Sequence, residues 1–68
     1  MEIKDILKKE RTKRGMTQQE IANYLHMRRE SYTVYETGKN MPTVENILRL
    51  AELYNCSTDY LLGRYREQ

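Results

Sequence analysis

Apolar residues recur at helical spacing only in short bursts, and a chain-reversing or helix-capping residue closes each one. Ile3, Ile6 and Leu7 share a stripe that Glu10 and Arg11 continue, and Gly15 stops it. Thr17 and Glu20 are spaced as a capping box, in which hydroxyl and carboxylate satisfy each other's free amides. A second helix therefore opens there, with Ile21, Ala22 and Leu25 on its apolar side. The phase is lost at His26, a type that tolerates left-handed geometry, and returns at Tyr32 and Tyr35. A third helix from Arg28 or Arg29 to Glu36 closes at Gly38, and Lys39-Asn40-Met41-Pro42 reads as a connector, extended before the proline. Thr43 caps a fourth helix with the stripe Val44, Ile47, Leu48, Ala51 and Tyr54, and Asn55 is a second left-handed stop. Ser57 caps a short fifth helix holding Leu61 and Leu62 and ending at Gly63. Strand-like alternation is nowhere sustained, so the spacing predicts an all-α, compact five-helix bundle over residues 1–63, with 64–68 as a frayed tail.

Composition narrows what such a bundle can do. With 68 residues there is material for one small core, and a deep enzyme pocket is hard to build. The single Cys56 excludes a disulfide framework, and one cysteine with one histidine makes no zinc ligand set. Cys56 is expected to be a small buried hydrophobe. No enzyme activity, cofactor, metal or small-molecule ligand is expected. Apolar runs reach only two or three residues, too few for a membrane span or secretory signal, so a cytoplasmic location is expected. The net charge is only +2, but nine basic side chains fall between Lys4 and Lys39 against five acidic ones. Such a skew lets one side face a polyanion, although the solvated face of a helix accounts for Lys4 to Arg14 equally simply.

Thr17 to Gly38 then reads as helix, tight turn, helix, with Ile21, Ala22, Leu25, Met27, Tyr32 and Tyr35 placed to pack the two helices steeply; the small Ala22 permits close approach. That is a helix-turn-helix, whose second helix can lie in the major groove of B-DNA. Gln18-Gln19-Glu20-Ile21-Ala22, Tyr35-Glu36-Thr37-Gly38-Lys39, Pro42-Thr43-Val44 and Ser57-Thr58-Asp59-Tyr60-Leu61-Leu62-Gly63 together resemble the phage repressor/Cro (XRE-type) helix-turn-helix family. The resemblance runs from about Ile3 to Gly63. It implies a lambda-repressor-like fold, with the helix-turn-helix in helices 2 and 3, and a bacterial or phage transcriptional regulator, most often dimeric. With no second domain for dimerisation or ligand sensing in so short a chain, a stand-alone domain is expected rather than a two-domain repressor.

With Tyr32 and Tyr35 turned inward, Arg29, Glu30, Thr33, Val34 and Thr37 fall on the outer side of helix 3. Arg29 has the reach for two bonds to a guanine edge, Glu30 for accepting from cytosine, and Thr33 and Val34 for a thymine methyl. An exposed β-branched Val34 gains nothing in water, whereas Arg29-Glu30 has a plainer explanation as a solubilising pair. Phosphate candidates are Gln18 at the start of helix 2, Thr37, Lys39 and Asn40 after helix 3, Arg28, which cannot cap, and Ser31, which packs or reaches a phosphate. The resemblance further implies that Gln18 braces helix 3 and that Arg11 forms a structural ion pair with Glu36. Tyr32, Tyr35 and Tyr54 read as core, and Tyr24, Tyr60 and Tyr65 as exposed. By resemblance, a weak homodimer on a palindromic operator would use Thr58, Tyr60, Leu61 and Tyr65. Two readings from different classes follow: a sequence-specific double-stranded-DNA-binding repressor, or a protein-interaction module (antitoxin or adaptor) that keeps the fold without specific DNA binding.

Overall fold

Side-chain caps set three of the five helix starts. The computed structural model describes residues 1–64, in the order α1 (Ile3–Lys13), α2 (Gln18–Tyr24), α3 (Arg29–Thr37), α4 (Val44–Tyr54) and α5 (Thr58–Leu61), with no strand among the described residues. The Thr17 hydroxyl accepts the Glu20 N–H at 3.1 Å while the Glu20 carboxylate accepts the Thr17 N–H at 2.8 Å, closing the capping box. Thr43 and Ser57 accept from the Asn46 and Tyr60 amides at 3.2 and 3.0 Å. Arg28 precedes α3 in extended geometry and offers no side-chain cap. The chain reverses through left-handed residues: His26 at φ 58°, Gly38 at φ 83° and Asn55 at φ 51°.

The core draws on all five helices. Leu7, Ile21, Ala22, Tyr32, Leu50 and Leu61 are wholly buried, and Tyr54 nearly so. Tyr32 and Tyr35 meet edge to face, with ring centroids 5.8 Å apart. The α4 stripe differs from the expected one. Ile47, Leu50, Ala51 and Tyr54 are buried, at i, i+3, i+4 and i+7, whereas Val44 and Leu48 are 77% and 54% exposed. Those two lie on the flank of the helix that no other described element covers, and Leu50 takes the central place. Cys56 is half-buried against the core edge rather than within it, and burial pushes its thiol pKa up.

A polar anchor ties α1 to the C-terminal helices. Glu10 is 5% exposed, accepts from Arg14 at 2.6 Å and accepts the Tyr60 hydroxyl at 2.6 Å. Arg14 also donates to the Tyr54 carbonyl at 2.8 Å and lies 4.7 Å from that ring's centroid. Two expectations fail here. Tyr60 is half-buried with its hydroxyl on Glu10, and Leu61 lies wholly inside the core, so Leu61 cannot present its side chain to a second molecule. Tyr65 lies outside the described residues.

Candidate nucleic-acid interface

What holds α3 determines what it can show. Its inner edge carries Tyr32 and Tyr35, and the Tyr35 hydroxyl accepts from the Asn46 amide of α4 at 3.0 Å. At its C-terminal end Glu36 gathers three neighbours. Arg11 donates Nε–H to Oε2 at 2.7 Å and Nη2–H to Oε1 at 3.0 Å, Gln18 donates to Oε1 at 3.1 Å, and the Tyr32 hydroxyl donates to Oε2 at 2.5 Å. The Arg11 and Glu36 side chains are 12% and 4% exposed, so this forked pair is largely withdrawn from water. Burial alone would push the Glu36 carboxyl up, but the bonds from Arg11, Tyr32 and Gln18 and the Arg11 charge outweigh it, and its pKa lies below the ordinary value. Arg11 also donates to the Met16 carbonyl at 2.8 Å, so one guanidinium fastens α1, the α1–α2 turn and α3.

Gln18 braces α3 from α2. Its amide nitrogen reaches Glu36, and its amide oxygen accepts the Thr33 hydroxyl at 3.1 Å. Thr33 is consequently half-buried, with its hydroxyl also directed at the Arg29 carbonyl at 2.8 Å. Val34 is not the free β-branched residue expected. It is half-buried against the core edge, where the chain reverses at Gly38 and the Asn40 N–H returns to the Val34 carbonyl at 3.2 Å.

The outer surface is left to the other candidates. Arg28, Arg29, Glu30 and Ser31 are exposed at the start of α3, and Thr37, Lys39 and Asn40 are exposed at its end. Arg28, Arg29, Glu30 and Lys39 make no ion pair among the described residues, and Lys39 offers its backbone N–H to the Thr37 hydroxyl at 3.4 Å. Cations therefore stand unpartnered at both ends of an outward-facing helix whose inner edge is locked. Sequence reasoning missed the Glu10 anchor, because its partners lie 4 and 50 residues away and no local pattern joins all three. The described residues contain no group of three or more His, Cys, Asp or Glu able to hold a metal ion.

The arrangement of α2, the His26 turn and α3 is that of a helix-turn-helix, and comparison with known proteins agrees. A family model described as helix-turn-helix matches residues 7–61, and the chain belongs to that family, which is not a family of enzymes. The HTH-type transcriptional regulator ImmR of Bacillus subtilis is 43% identical over 58 residues, covering 85% of this chain and 46% of ImmR. The cryptic phage CTXphi transcriptional repressor RstR of Vibrio cholerae is 35% identical over 65 residues, covering 96% of this chain and 58% of RstR. The chain thus spans about half the length of these curated relatives. In fold it is similar to the P22 c2 repressor, solved with a synthetic operator. The TM-score is 0.86 at 23% identity, over 96% of this chain and 98% of that one.

Proposed function

We propose that this chain is a sequence-specific, double-stranded-DNA-binding transcriptional regulator, acting as a repressor, with α3 as the helix that enters the major groove. The observation that carries this reading is the two-sided character of α3. Tyr32, Tyr35 and Glu36 clamp one edge, while Arg29, Glu30 and the Thr37–Asn40 loop stand free. Its similarity to the transcriptional regulator ImmR and the transcriptional repressor RstR, and the operator held by the P22 c2 repressor, support it. Residues 1–63 form the DNA-binding unit in this reading. Arg29 reads a guanine edge and Glu30 a neighbouring cytosine, while Thr33 and Val34 contribute only the methyl edge that their half-burial leaves free. Arg28, Ser31, Thr37, Lys39 and Asn40 meet phosphates, and Gln18 adds one from the start of α2 while bracing α3. Regulation of this kind places the protein in the cytoplasm, and no described helix is long and apolar enough to cross a membrane.

A weak homodimer on a palindromic operator completes the reading. Its partner surface is the open flank of α4, where Val44 and Leu48 line one cleft with Met41, Thr58 and Leu62. Glu45 and Arg49 run beside that ridge as an exposed pair at 3.1 Å.

Selection of binding sites from a random duplex pool tests the function. A palindromic consensus is the expected outcome, and retention of no duplex would leave the adaptor reading in its place. On the selected site, Arg29→Ala should relax preference at one base pair, whereas Lys39→Ala should weaken all sequences alike. Equal losses on every sequence for both variants would refute that division of labour.

A further inference from the structure

We infer that Lys4 and Lys8 of α1 are DNA-phosphate contacts, extending the loop after α3 into a longer cationic track. The inference rests on the DNA-binding reading above and adds an element, α1, that reading does not use. Gly38 has no side chain, and the aliphatic stem of Lys4 lies across it: a Cβ there would sit 2.9 Å from Lys4 Cδ and 3.8 Å from Cε. The Lys4 ammonium, one bond beyond Cε, therefore emerges beside Gly38, the residue before Lys39, and Lys4, Gly38 and Asn40 line one cleft although Lys4 is 34 residues from Gly38 in the sequence. Lys4 has no ion-pair partner among the described residues even though its stem is half-buried.

Helical geometry brings in Lys8. It lies one turn beyond Lys4, exposed and equally unpaired, and Arg11 follows on the same edge of α1. Arg11 meets Glu36 and Lys4 covers Gly38, so this edge runs alongside the last turn of α3, with Lys8 between the two contacts. Like charges one turn apart on a helix repel each other, a cost that a polyanion would relieve. Lys9 points away from this edge and serves as the control.

The test measures binding of the full chain to its selected duplex and to an unrelated duplex over a salt series, by fluorescence anisotropy. Lys4→Met keeps the stem over Gly38 and removes the charge; Lys8→Met and the double variant follow, with Lys9→Met as control. The expected result is that the slope of log K against log salt falls by about 0.9 for each lost contact, equally on both duplexes, while Lys9→Met keeps the wild-type slope. Wild-type binding with an unchanged slope in the double variant would overturn the inference and leave the DNA reading intact. An equal loss in Lys9→Met would also overturn it, by showing a general charge effect. A wild-type chain that binds no duplex would sink both.

Discussion

Glu36 accepts four hydrogen bonds from three side chains, on three different helices once α3 itself is included. Removing the carboxylate strands the buried Arg11 guanidinium, so Glu36→Gln should cost about 3 kcal/mol or more in urea denaturation. Glu45→Gln, which breaks the exposed pair with Arg49, should cost less than about 1 kcal/mol. A comparable cost for both would show that the Glu36 cluster contributes no more than a surface bridge. The same clusters set the pH response. Because the folded-state pKa values of Glu36 and Glu10 lie below the ordinary 4.5, the stability they add is complete above that value and is lost as pH falls through the folded pKa. Tyr60 works in the other direction. Its bond to Glu10, with burial, lifts its pKa from 10.0 to about 12, so that contribution is present below 10.0 and lost as pH rises toward 12. Acid melts of Glu36→Gln should therefore fall less steeply than those of the wild type. The Arg11–Glu36 pair was legible in the sequence only through family resemblance. The Glu10–Tyr60 contact was not legible at all, since nothing local distinguishes a carboxylate that will be buried.

At the scale of elements, caps and left-handed stops account for nearly every boundary. Thr17, Thr43 and Ser57 act where they were expected to, and His26 and Asn55 turn the chain at φ 58° and 51°. Asparagine suits that geometry better than histidine, whose Cβ and ring gain nothing from it. His26→Gly should accordingly raise stability by about 1 kcal/mol, and Asn55→Gly by less, in paired thermal melts. A loss of stability in His26→Gly would mean that the imidazole holds the turn. The α4 stripe is less legible in the sequence. Val44 and Leu48 satisfy helical spacing as fully as Leu50 does, and periodicity cannot say which arc of an apolar-rich helix a neighbour will cover.

For the molecule as a whole, the exposed flank of α4 is what remains after the five helices have closed their core. Met41, Val44 and Leu48 are 67%, 77% and 54% exposed and line one cleft, a cluster that water disfavours. If a second copy covers it, sedimentation should show a mass that rises with concentration, and Leu48→Glu should remain monomeric with unchanged helicity. A wild-type chain that stays monomeric even on a duplex carrying two half-sites would remove the dimer. Local chemistry, written in the order of residues, was enough to determine five helices, their caps, the turn at His26 and the inward tyrosines of α3. Only tertiary structure decided that Val34 and Leu61 are withdrawn, that Glu10 is an anchor, and that Lys4 lies across Gly38. Those outcomes depend on which distant segments exclude water from which side chains, and burial is a property of the packed assembly, not of any stretch of sequence.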